Sequence, residues 1–176
     1  PERPGWYTCA CCPPNVVRLL MSLGKYLWSE TEDGVYSHIP AGTEAHFDKM
    51  DVTVESNYPW DGKVIYHVTG KTEKETILGI HIPSWVRPGS VQVRINGKVK
   101  DITADVEKGY LILKRVWEND EVELVFPMKI RKIYANLKVR EDAGCVAFMR
   151  GPMVYCFEGV DNPGLLQSYH IFEDAK

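Results

Sequence analysis

No run of this sequence approaches eighteen apolar residues, so no transmembrane helix is encoded. No cationic surplus exists either: 21 Lys and Arg stand against 24 Asp and Glu, for a net charge of −3. That balance lacks the basic footprint with which nucleic-acid binders neutralise phosphates. Neither a secretory leader pattern, nor an internal repeat, nor a low-complexity segment is found. The chain opens on Pro1-Glu2-Arg3-Pro4-Gly5 and not on methionine. That opening reads as a cut inside a longer protein, so a missing leader says little about the parent. A disulfide framework is also lacking. The five cysteines are odd in number, and three of them, Cys9, Cys11 and Cys12, crowd into four positions. Free thiols suit a reducing compartment, which favours a cytoplasmic parent.

What is present begins with one helical pattern. In PPNVVRLLMSLGKYLW (13–28), Pro13 and Pro14 suit a first turn, where backbone N–H groups lack partners anyway. Val16, Leu20, Leu23 and Leu27 fall on one face, Val17, Met21 and Trp28 widen it, and Arg18, Ser22 and Lys25 take the polar side. So broad an apolar face predicts a cover of other helices, and no other helical pattern follows. From Gly34 the text turns to short β-rich runs: 35–39, 51–56, 64–69, 76–82, 91–95, 110–115 and 121–126. Further runs follow at 130–139, 145–149 and 153–158. Leu78, Ile80, Ile82 and Val122, Leu124, Phe126 alternate with polar neighbours. Asn96-Gly97 is a hairpin signal, Asp61-Gly62 reads as a plain hairpin turn, and Glu118-Asn119-Asp120 as another turn. Many short strands with regular turns predict a mainly β fold, an antiparallel β-sandwich preceded by one helix. The stretch 127–134 reads as a crossover to a second sheet unit.

The chemistry concentrates in CACCPPN (9–15). A thiol acts as its thiolate, which a helix N-terminus favours, and thiolates are zinc ligands. Two adjacent cysteines cannot complete a tetrahedral site. Within the chain, His38, His67 and His81 fall in strand patterns and read as hydrogen-bonded or sheet-surface residues; His46 and His170 have no partner at metal spacing. Cys145 and Cys156 sit in apolar runs and read as small core residues. The missing ligands are therefore expected upstream. The alternative, three cysteines with a merely structural role, stays open on spacing alone.

Other segments carry a resemblance. CCPPN before an apolar helix, YPWDGKV (58–64), IPSW (82–85) with VRING (93–97), GYLILKRVWENDEVELVFPM (109–128) and GCVAFMRGPMVYCFEGVDN (144–162) together resemble glycoside hydrolase family 127, the bacterial β-L-arabinofuranosidases. The resemblance spans nearly the whole chain. It implies a catalytic (α/α)6 barrel followed by β-sandwiches, with residues 1–28 as the last barrel loop and helix, 29–132 as a first sandwich and 133–176 as the start of a second. It implies retaining hydrolysis of a β-linked L-arabinofuranoside or related sugar at a zinc–cysteine site. Cys11 would be nucleophile and zinc ligand, and Cys12 a zinc ligand. A further cysteine, a ligand glutamate and the glutamic acid/base would come from the barrel, so this chain alone is expected to be inactive and to bind zinc weakly or not at all. Trp6 and Tyr7, beside the cysteine loop, are candidates for sugar contact. Tyr58, Trp60, Trp85 and Trp117 read as packing residues, and Arg150-Gly151-Pro152 as a structural bend. The competing reading is a non-catalytic carbohydrate-binding or scaffolding sandwich.

Overall fold

The computed structural model describes residues 5, 6 and 8–170. The elements in chain order are α1 (Cys12–Ser22), α2 (Gly24–Leu27), β1 (Trp28–Glu30), β2 (Gly34–Ser37), β3 (Thr43–His46), β4 (Met50–Ser56) and β5 (Lys63–Gly70). They continue as β6 (Thr76–His81), β7 (Gln92–Ile95), β8 (Lys98–Lys100), β9 (Val106–Glu107), β10 (Tyr110–Arg115) and β11 (Asn119–Val125). The last three strands are β12 (Ile130–Ile133), β13 (Ala147–Arg150) and β14 (Met153–Tyr155).

Side chains alternate across a strand, so each half-buried strand presents one apolar row. Met50, Val52 and Val54 of β4, Val64, Tyr66 and Val68 of β5, and Val122 and Leu124 of β11 are buried from one sheet. Leu78 and Ile80 of β6 and Leu111 and Leu113 of β10 meet them from the other. The two sheets have the strand orders β1-β2-β6-β10-β9 and β3-β4-β5-β11-β7-β8, and together they make the sandwich. Inside it, Ser37 and Tyr66 bond across the layers at 3.0 Å. Burial pushes the Tyr66 phenol up from its ordinary pKa, against the opposing pull of Ser37. The neutral phenol can thus stay in an apolar core without an unpaired hydroxyl.

Among the described residues the pairings are antiparallel except one: β2 lies parallel to β6, with Val35 opposite Leu78. A parallel pair needs a long crossover, and β3, β4 and β5 provide it by visiting the second sheet between the two strands. The Asn96-Gly97 hairpin forms as expected, with φ of +50° and +75°, and Lys108-Gly109 repeats that geometry at +48° and +83° between β9 and β10. Asn96 does more than turn the chain. Its amide donates to Asp120 at 2.7 Å, and its Oδ1 accepts from the Glu121 N–H at 2.8 Å, which pins the hairpin to β11.

Four expectations need correction. The helix does not run through residue 28. A hydrogen bond from the Leu23 N–H to the Leu20 carbonyl (3.3 Å) tightens the end of α1, and Trp28 turns extended. The reason is tertiary: the Trp28 ring packs on Phe47 and Tyr66, at 5.6 Å and 6.4 Å, and its indole N–H reaches Thr43. The turn read at Glu118-Asn119-Asp120 lies earlier, at 116–118, because Asp120 is buried in β11 and accepts from the Glu118 N–H (3.0 Å) and from Arg115 (3.1 Å). Asp61-Gly62 is no plain hairpin. The connection from β4 to β5 spans 57–62 and contains the cis Tyr58–Pro59 bond. Gly62 is required there by close approach, since a Cβ would stand 2.0 Å from the Phe126 carbonyl oxygen. Finally, Cys145 and Cys156 are exposed. They flank the short sheet β12-β13-β14, over whose apolar residues, such as Ile130 and Val154, the described residues place no second layer.

That short sheet is tied to the sandwich through Arg150-Gly151. Arg150 donates to the Trp60 carbonyl at 2.9 Å, while within the short sheet Arg131 donates to the Gly151 carbonyl at 3.1 Å. Gly151 has φ of +58° and fits against Met128 and Trp85, where a side chain would collide with the methionine sulfur. The bend role expected for 150–152 is what the structure displays.

Candidate functional site

Cys11 is the residue capping α1, and Cys12 is its first helical residue; Pro13 and Pro14 fill the first turn. A helix start leaves N–H groups without intrahelical partners, and proline there removes donors that would otherwise be idle. Consecutive residues at this start leave both sulfurs on the surface, 3.7 Å apart. Two sulfurs bound at about 2.3 Å to one tetrahedral zinc would lie about 3.8 Å apart. The pair therefore already has the separation that one edge of such a site demands. Cys9 is exposed as well. No group of three or more His, Cys, Asp or Glu side chains that could hold a metal ion occurs among the described residues. Among the described residues the two sulfurs thus form an open pair and not part of a closed cluster.

One contributor to this site escaped the reading of the sequence. Asn15 donates through its side-chain amide to the Cys11 carbonyl at 2.8 Å, while its backbone N–H reaches the same oxygen at 3.4 Å. Arg18 in turn donates to Asn15 Oδ1 at 2.9 Å. This chain of bonds fixes the backbone on which the Cys11 sulfur stands. The signal was in print, since asparagine closes the CCPPN motif with arginine three residues on, one helical turn away.

The apolar face expected on the helix is present and bare. Val16, Val17, Leu19, Leu20 and Met21 are exposed, Met21 at 84%, and α1 has no buried residue. The face disappears only where Leu27 and Trp28 enter the sandwich. Trp6 is exposed, and Tyr7 lies outside the described residues. Of the other aromatics, Trp117 is buried under the Arg115 guanidinium, Trp85 packs on Phe126, Tyr58 is half-buried, and Trp60 is exposed.

Of the strand histidines, His38 and His67 are bonded, while His81 rests against the Tyr110 ring at 5.2 Å. His67 faces Glu55 at 3.2 Å and Glu121 at 3.9 Å. His38 exchanges hydrogen bonds with the Tyr110 hydroxyl (2.7 Å) and the Ser29 hydroxyl (2.9 Å). Its pKa is lowered by burial and by the neighbouring His81. A base whose pKa is lower when folded stabilises the fold above its unfolded value of about 6.5, and loses that contribution as pH falls through it. Urea midpoints taken between pH 8 and pH 5 are therefore expected to fall more steeply for the natural chain than for His38→Gln. Equal slopes would show that His38 is not held neutral by its surroundings.

Comparison with known proteins places the chain in a family. The family profile described as "Beta-L-arabinofuranosidase, GH127 middle domain" matches residues 34–128, and "Glycoside hydrolase family 127 C-terminal domain" matches 130–176. A non-reducing end beta-L-arabinofuranosidase of Bifidobacterium longum subsp. longum is 40% identical, over 97% of this chain and 26% of that protein. The crystal structure of a GH127 beta-L-arabinofuranosidase from Geobacillus stearothermophilus T6 is 43% identical with a TM-score of 0.83, covering 94% of this chain and 27% of that one. A solved GH127 beta-arabinofuranosidase gives 36% identity and a TM-score of 0.78, covering 92% and 28%. The chain spans about a quarter of the length of these relatives. By profile, sequence and fold, this chain belongs to glycoside hydrolase family 127.

Proposed function

We propose that this chain is the C-terminal part of a retaining glycoside hydrolase that cleaves β-linked L-arabinofuranosides or closely related sugars, with Cys11 as nucleophile. The observation that carries the reading is the exposed Cys11–Cys12 pair, 3.7 Å apart at the start of α1, in a chain of this family. Both sulfurs fit zinc; when bound, the metal would keep them as thiolates, the form that ligates and attacks. The Cys11 sulfur attacks the anomeric carbon. A C–S bond forms as the glycosidic C–O bond breaks, and a general acid gives its proton to the leaving oxygen. Water then attacks the same carbon and the C–S bond breaks, while the conjugate base of that acid takes the water's proton. Two displacements retain the configuration. Asn15 and Arg18 hold the Cys11 backbone during both steps.

In this reading the acid/base and the remaining ligands belong to an α/α barrel upstream, and residues 1–28 form its last loop and helix. The bare apolar face of α1 is what such a barrel would cover. Metal analysis tests the zinc. The whole enzyme is expected to carry one zinc per chain and the Cys12→Ser variant much less, whereas the present chain alone is expected to hold zinc weakly and turn nothing over. Full turnover of the whole enzyme after exhaustive chelation, with no metal detected, would overturn the zinc assignment.

A further inference from the structure

A second feature lies on the opposite side of the first sheet from the core. The register places Tyr36 of β2 beside Gly79 of β6, and Tyr110 of β10 beside His81 at the end of β6. All these side chains point away from the buried rows. Gly79 makes room for an aromatic ring: a Cβ there would stand 2.2 Å from the Tyr36 ring, which lies over the glycine. Tyr110 meets Tyr36 edge-on at 5.8 Å and leans over His81 at 5.2 Å. Its hydroxyl is held by His38, which Ser29 holds from the other side. The result is a cavity of about 380 Å³ lined by Ser29, Tyr36, His38, Glu107, Lys108, Tyr110 and Ile112.

The cradle is built and its rim is polar. Lys108, in the hairpin turn between β9 and β10, stands at the rim. The Glu107 carboxylate comes from the preceding strand residue. The Tyr36 face lying over Gly79, with Tyr110 standing edge-on beside it and held by His38, and with one carboxylate and one ammonium at the edge, suits a ligand that is apolar on one face and rich in hydroxyls around its margin. A sugar ring has that character, and the cavity is within the size range of small-molecule sites, about 300–1,000 Å³. We infer that the Tyr36–Tyr110 cradle is a carbohydrate-binding subsite, separate from the cysteine pair, which takes one neutral pentose or hexose ring of a glycan. The Tyr36 face takes the C–H side of the ring, Tyr110 stands against its margin, and Glu107 and Lys108 bond its hydroxyls. The inference rests on the glycosidase reading only for the choice of sugar to try first.

The test is a titration of the isotope-labelled 176-residue chain with L-arabinose and, separately, with glucose and glycerol, read from backbone amide shifts. Saturable shifts at Tyr36, Gly79, Lys108, Gly109 and Tyr110 are expected, with a Kd on the order of 1 mM for at least one sugar. Tyr36→Ala should weaken binding about tenfold or more, because it removes the ring face that the sugar covers. Glu107→Gln, a rim change that leaves the sheet intact, should weaken it several-fold. Cys11→Ser should leave it unchanged, so this subsite and the nucleophile stand or fall separately. Absence of shifts at these amides well above that concentration, or equal shifts with glycerol, would overturn the subsite.

Discussion

Replacing Cys11 with serine is expected to lower turnover of the whole enzyme at least about 10³-fold, even in the fraction that is loaded with zinc. The size follows from the step that is lost. A serine hydroxyl remains protonated near neutrality and is a poor nucleophile without a base at hand, whereas a metal-held sulfur is already an anion. The Cys12→Ser variant should behave differently, losing activity only in step with its metal and regaining it when zinc is added in excess, because in the proposed role Cys12 is a ligand and not the attacking group. Asn15→Ala should sit between these and natural enzyme: it removes the bond that holds the Cys11 carbonyl but leaves the sulfur in place. A nucleophile displaced by a fraction of an ångström lowers the rate of the chemical step without changing metal content. Comparing kcat and metal content for the three variants separates attack, ligation and positioning. Unchanged turnover in Cys11→Ser would remove this residue as nucleophile and favour the reading of a sandwich with structural cysteines.

The Phe126→Ala variant is expected to lose about 3–5 kcal/mol of stability. Phe126 is 1% exposed, just beyond β11, and its ring meets Trp85 at 6.3 Å. Its N–H donates to the Gly62 carbonyl at 2.9 Å, so the backbone is anchored and cannot slide in to fill the space. A cavity that cannot collapse is the costly kind. With a urea m-value of about 2 kcal/mol per molar, the midpoint should drop by about 2 M. Trp60→Ala is the control. Trp60 is 64% exposed, and Arg150 holds it only through its backbone carbonyl, so its loss should cost within about 0.5 kcal/mol. A loss of under about 1 kcal/mol for Phe126→Ala would mean that the sheets close over the gap, against the packing described.

The two sites differ in how far they could be read in advance. The cysteine pair is local, since adjacent residues followed by two prolines at a helix start leave little freedom in where the sulfurs go. Its positioning asparagine is equally local and was overlooked because only its motif was weighed. The cradle is not local. Tyr36 and His38 share one run, His81 and Tyr110 lie on two others, each run reads as an ordinary strand, and nothing in the spacing joins the three into a site. The same contrast explains the errors in the fold. Asn96-Gly97 was legible because a turn of this type needs two positive φ values in a row, and that demand is written in the residue types. Gly62 looked like a turn glycine but answers to a carbonyl 64 positions away in the chain, that of Phe126.

The sequence alone determined the mainly β character, the hairpin at Asn96, the single helical start with its sulfurs and the bare apolar stripe, because each depends on periodicity or on backbone preferences of neighbouring residues. The tertiary structure alone decided that β2 runs parallel to β6, that Trp28 leaves the helix for the sandwich, and that Tyr36 comes to rest over Gly79 beside Tyr110. Those outcomes follow from strand pairing between distant segments. Pairing distant strands buries apolar rows and satisfies backbone donors in ways that no local window contains.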